Sequence, residues 1–138
     1  MSHPVTVQRI NPPGLHAAPG LISQLVVTTG RQLVHLSGQV AWDSHGNPTG
    51  GDHAVQAAVI ARNIDTALAA VGVTRDDLVK EAIYVAGYTP DILQPVLAAL
   101  RERVGTAPAS TLAPVPAFFA PDYLVEVDVT AALPAPTP

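Results

Sequence analysis

The stretch Pro108-Ala109-Ser110-Thr111, read together with Ala120-Pro121-Asp122-Tyr123-Leu124-Val125-Glu126-Val127-Asp128, decides the fold of this chain. From Leu124 to Ala132 the residues are largely β-branched or small and apolar, which suits an extended strand. Thr111 to Val115 supplies the strand before it, and a turn carrying Phe118, Phe119 and Tyr123 joins the two.

Toward the amino terminus, Thr89 is placed to cap a helix opened by Pro90, with Leu93, Val96, Leu97, Leu100 and Val104 on one face. Pro95 lies inside that helix, early enough to bend its first turns without ending it. Val79 to Val85 reads as a buried strand, preceded by a turn capped around Thr74 to Asp77. Before it, Asp52 caps a longer helix that ends at Gly72, its apolar stripe formed by Val55, Val59 or Ile60, Ile64, Ala67, Leu68 and Val71. The turn formers from Asp43 to Gly51 make a loop. Leu25 to Thr29 and Leu33 to Val40 read as antiparallel strands joined by a Gly30-Arg31 hairpin, and Val5 to Ile10 as a short strand broken by Asn11-Pro12-Pro13-Gly14. The order strands, helix, strand, helix, strands predicts an α+β layer arrangement, a mixed sheet with two helices on one face. Its length fits a single domain over residues 1–138, with 134–138 as a frayed tail.

Composition bounds the function. Charged residues make up 13% of the chain and hydrophobic ones 48%, too little polar cover for a monomer and better suited to an oligomer. The net charge of -4 contains no basic run, so nucleic acid is not an expected partner. No apolar stretch approaches the roughly 20 residues of a membrane span. Met1-Ser2-His3-Pro4 lacks the pattern of a signal peptide, and the expectation is a cytoplasmic protein. Absence of cysteine excludes disulfides, thiolate nucleophiles and sulfur-ligated metal.

The Pro108-Ala109 and Val125-Glu126 elements, with Ser37-Gly38-Gln39, the Gly51-Asp52 helix start, Gln56, Asn63-Ile64, Leu68, Gly72 and Leu78-Val79-Lys80, resemble the RidA/YjgF family of enamine and imine deaminases. Their order and spacing carry the likeness over nearly the whole chain. It implies a chorismate-mutase-like fold in a homotrimer with pockets at the subunit interfaces, and a small-molecule ligand with no cofactor or metal. In catalytically competent members an arginine holds the carboxylate of a 2-imino or 2-enamino acid while ordered water attacks the imine carbon and ammonia leaves. Here that arginine position reads Ser110, and the aromatic position before Gln24 reads Ile22. A bidentate guanidinium-carboxylate contact is thereby lost unless Arg31, Arg101 or Arg103 enters from elsewhere.

By the resemblance, Glu126 is the catalytic candidate, a general acid or base whose pKa a partly desolvated pocket would raise. Ser37, Gly38, Ser110 and Ile22 are the substrate-contact candidates. The plainer reading of Glu126 is a strand carboxylate facing solvent. Asp43, His45, Asp52 and His53 lie close in sequence, but a Gly/Pro-rich loop does not promise the fixed convergence a metal needs. His35 reads as a packing residue, and Phe118, Phe119 and Tyr123 as cover for the core or an interface. The expected function is a hydrolase acting on an imine, enamine or related carbonyl compound. A non-catalytic trimeric binding module is the alternative, and an endoribonuclease is disfavoured by the acidic balance.

Overall fold

The structure, a computed structural model, describes residues 6–134, so Val5 of the first expected strand and 135–138 of the expected tail lie outside it. The strands are β1 (Thr6–Ile10), β2 (Leu25–Thr29), β3 (Leu33–His35), β4 (Leu78–Ala86), β5 (Ala109–Val115) and β6 (Val125–Ala132), and the helices are α1 (His53–Ala69) and α2 (Leu93–Arg101). Four strands form a mixed sheet in the order β3-β6-β4-β5, with β4 and β5 parallel and the other pairs antiparallel. Both helices pack on one face, where Ile60, Ile64, Leu68, Val96, Leu97 and Leu100 meet Ile83, Val85, Val125, Val127 and Val129 in one core. The α+β arrangement expected from sequence is the one observed.

Helix α1 starts where Asp52 accepts the Val55 N–H at 2.9 Å, and the turn that closes it after Ala69 carries Gly72, whose φ of +78° suits a residue without Cβ. Its buried stripe is rotated from the expected one. Gln56, Ala57, Ile60, Ala61, Ile64 and Leu68 are buried, whereas Val55 and Val71 are 51% and 46% exposed. Gln56 explains the rotation, because its amide donates to the carbonyls of Gly51 (3.1 Å) and Asp122 (3.0 Å) and accepts the Leu124 N–H (2.9 Å). A polar side chain so saturated is tolerated in a core. This clamp also fixes the entry to β6.

Other expectations are corrected as well: α2 stops at Arg101, short of Val104, and β3 stops at His35, short of Val40. The second helix is not continuous from Thr89. A 3₁₀ turn over Pro90–Ile92 precedes α2, and the Thr89 hydroxyl bonds the Asp91 carboxylate instead of capping the backbone. Pro95 becomes the third residue of α2, inside the first turn, where a backbone N–H has no intrahelical acceptor to lose. The Gly30-Arg31 hairpin does not form either. β2 pairs with β1 in a separate two-stranded ribbon, from Leu25↔Ile10 to Thr29↔Thr6. The chain turns at Gly30 (φ +64°), but then β6 captures it: the Arg31 guanidinium donates to the Leu133 carbonyl at 2.6 Å and the Leu133 N–H donates to Gln32 at 2.8 Å.

Candidate functional site

Along β6 the register of the third strand fixes the site. Leu33, Val34 and His35 face Ala132, Ala131 and Thr130, and the Leu36 N–H still donates to Val129 at 3.1 Å. The next contacts are Gln39 with Val127, donating and accepting at 2.7 and 3.0 Å. One residue too many is therefore spent between Leu36 and Gln39, a β-bulge at Ser37-Gly38, with the Gln39 side chain donating back to the Ser37 carbonyl at 3.0 Å. Bulges of this kind re-aim backbone near functional sites.

What the bulge meets is Glu126. A Cβ added at Gly38 would lie 2.6 Å from Oε2 and 2.9 Å from Cδ of Glu126, so glycine is required for this approach. The alternation of β6 turns Val125, Val127 and Val129 into the core and leaves Glu126 and Asp128 half-buried on the face without helices. Tyr84 of β4 is the cross-strand partner of Glu126. Burial, and secondly the Asp128 charge, push the Glu126 carboxyl above its ordinary range. Farther along the same face, His35 Nδ1 lies 3.1 Å from the Thr130 hydroxyl. The structure thus joins Glu126, Gly38 and the exposed Ser37 in one place.

Ser110 is not among them. In the parallel β4–β5 pair it is in register with Glu81, and its hydroxyl donates to Glu81 Oε1 at 2.6 Å on the helix side of the sheet. Arg101, from the last turn of α2, grips the same carboxylate with both arms, at 2.7 Å to Oε1 and 2.9 Å to Oε2, and its Nε donates to the Leu21 carbonyl at 2.8 Å. Glu81 is 2% exposed and the Arg101 side chain 7%. Ile22 is half-buried between two anchors, Leu21 on Arg101 and Ser23. The Ser23 hydroxyl donates to Ala107 at 2.6 Å and its N–H to Pro108 at 3.0 Å. Ile22 and Ser110 therefore lie toward the β5 edge of the sheet, and Ser110 is on the face opposite to Glu126.

Sequence reasoning missed Glu81, although a carboxylate inside an apolar strand signals a buried cationic partner. It also missed Trp42. That ring packs with Phe119 (centroids 6.0 Å apart) and Tyr123 (6.2 Å), and Phe119 with Tyr123 at 4.9 Å, while Phe119 remains 69% exposed. Trp42, Gln39, Asp43 and Asn63 line an open groove of about 530 Å³ beside this cluster. The loop acids and histidines serve separate local roles. Asp43 accepts the N–H groups of His45 and Asn47, Asp52 caps α1, and His53 Nε2 lies 2.7 Å from the Ala86 carbonyl. No group of three or more possible metal ligands converges among the described residues, and no helix there is long and apolar enough to cross a membrane.

A mixed sheet layered with two helices, carrying a glutamate against a bulged Ser-Gly, defines an α+β protein of the chorismate-mutase-like class. The sequence profile of the endoribonuclease L-PSP family matches residues 16–133, and the chain belongs to that family, known also as Rid or YjgF. It is similar to YyfB of Yersinia pestis, a Rid-family protein, with 30% identity and a TM-score of 0.83 over 92% of this chain and 98% of that one. Rv2704 of Mycobacterium tuberculosis, of the YjgF/YER057c/UK114 family, is 28% identical with a TM-score of 0.62 over 80% and 86%. The yeast protein YEO7, at 22% identity and a TM-score of 0.65 over 92% and 98%, shares the fold. No curated protein matches the sequence.

Proposed function

We propose that the chain is a small-molecule hydrolase of imines, enamines or related carbonyl compounds, acting in pockets between the subunits of a homotrimer. The observation that carries this reading is the Glu126 carboxylate, set against Gly38 with its pKa raised. A carboxyl group poised nearer neutrality takes a proton from attacking water and returns it to a departing amine. Ser37 and the bulged backbone supply polar groups beside it. Ser110, on the opposite face of the sheet, and Ile22, near the same edge, would reach the same ligand from a neighbouring copy, which accords with a chain only 13% charged. Ammonia release from neutral imines and from enzymatically generated 2-iminobutyrate tests the proposal. Activity lost in Glu126→Gln supports it, and no rate above buffer with any substrate removes it.

A second reading, a non-catalytic binding module, draws on the Arg101 guanidinium being consumed by Glu81, which leaves no anion clamp at Ser110. A ligand that raises Tm and is recovered unchanged would favour it. The family's endoribonuclease description gains no support from a net charge of -4 without a basic stripe.

A further inference from the structure

We propose that Glu81 is a built-in carboxylate that keeps the Arg101 guanidinium occupied, and so sets the Ser110 end of the pocket to accept a neutral ligand and refuse an organic carboxylate. The inference rests on the reading that Ser110 and Ile22 contact the ligand, and it names the determinant of what that ligand is.

A guanidinium offers two parallel N–H donors to a carboxylate, and here both arms are spent on Glu81, at 2.7 and 2.9 Å. The Nε–H is spent on the Leu21 carbonyl, and the two N–H groups left, one on each terminal nitrogen, point from opposite edges of the guanidinium and cannot grip a second carboxylate in parallel. The Ser110 hydroxyl, which could have greeted a ligand, donates to Glu81 Oε1 at 2.6 Å. The positive charge that stands beside Ser110 is therefore matched inside the protein, by a group of the same chemistry as a substrate carboxylate and at the same atoms. An incoming carboxylate would have to leave the 2% exposed Glu81 charge unpaired. Separating a buried ion pair of this geometry weakens binding by roughly a hundredfold or more. A ketone or neutral imine makes no such demand. Neither Arg31, which donates to the Leu133 carbonyl, nor the exposed Arg103 joins the Ser110 network.

The test compares 2-oxobutanoate with its uncharged counterpart 2-butanone, titrated into wild-type protein and Glu81→Gln by calorimetry. The glutamine keeps the length of the side chain and an oxygen for Ser110, but it offers Arg101 one acceptor and no charge. The expected result is a gain of about tenfold or more in 2-oxobutanoate affinity, with 2-butanone unchanged and the gain abolished in Glu81→Gln/Arg101→Met. A folded Glu81→Gln protein that binds 2-oxobutanoate no better than wild type overturns the proposal. Should Glu81→Gln fail to fold, Glu81→Leu/Arg101→Met removes both charges with little change of volume. Refusal of 2-oxobutanoate at the wild-type level then supports the proposal, and a fall in 2-oxobutanoate binding below wild type shows that Arg101 was free all along and overturns it. Failure of the hydrolase reading is separate, since it shows as absent ammonia release in wild type and leaves this binding comparison intact.

Discussion

Gly38→Ala isolates the contact on which the functional reading depends. The added Cβ would sit 2.6 Å from Glu126 Oε2, 2.9 Å from Cδ and 3.2 Å from Cγ, and ordinary contact begins at 3.4 Å, so the carboxylate must retreat by about 0.8 Å. Position 38 is not among the left-handed glycines, so alanine strains no dihedral there and reduces unfolded-state entropy by about 0.4–1 kcal/mol in favour of the fold. Pushing Glu126 off its rotamer costs about 0.5–1.5 kcal/mol, and the two effects nearly offset. Stability should stay within about 1 kcal/mol of wild type, a Tm change of a few degrees. Activity should not, because misplacing a reacting group by nearly 1 Å reduces rate by up to about a hundredfold. The assay is kcat/KM for ammonia release from the best imine substrate, read beside a thermal melt. Gly105→Ala serves as control, since its Cβ would lie 3.7 Å from Asp76 Oδ1, in ordinary contact. A Gly38→Ala protein that hydrolyses at the wild-type rate would refute the placement of Glu126 at the reaction centre.

Gln56→Leu removes three hydrogen bonds from a side chain 1% exposed, and urea unfolding should show a loss of about 2–4 kcal/mol; a loss below about 0.5 kcal/mol would mean water replaces them. Arg101→Met should cost about 3–5 kcal/mol by stranding the Glu81 charge, whereas Glu81→Leu/Arg101→Met should come close to wild type, and additive losses in that cycle would contradict a coupled pair. Because the folded state raises the Glu126 pKa, its ionised form is the disfavoured one: wild type loses stability as pH rises through that titration, and Glu126→Gln does not. Melts across pH should find Glu126→Gln the more stable near pH 7, with the difference closing below pH about 4, and a gap that widens toward acid would reverse the sign. Ser110→Arg alone should install no carboxylate binding, measured with 2-oxobutanoate, since the new guanidinium would share Glu81 with Arg101.

The helices and the later strands were legible because their signals are local. Asp52 and Gly72 mark the ends of α1, and the valines of β6 and β4 sit in sequence as they do in the core. The failures share a physical origin in contacts made at long range. Gly30-Arg31 has hairpin chemistry, yet the path of the chain beyond Arg31 is decided by Leu133, about a hundred residues away. The rotation of the α1 stripe depends on Gln56 finding Asp122 and Leu124, and no periodicity encodes that. Glu126, Ser37 and Gly38 were legible as a group by resemblance. The bulge that brings them together is a count of residues between two strands, visible only once the register of β3 on β6 is known.

Ser110 is where the two scales meet. As a letter in the sequence it stands, by resemblance, where a pocket arginine is expected. In the fold a guanidinium is present within reach of that position, delivered by α2, and a buried carboxylate in register with Ser110 holds it. An arginine at 110 could not coexist with this arrangement without either claiming Glu81 from Arg101 or placing two cations against one acid in a site almost closed to water. The three residues are therefore one chemical unit. Serine is the small, neutral donor that such a unit requires at its third corner, so the identity of residue 110 is set by the Glu81–Arg101 pair as much as by any ligand.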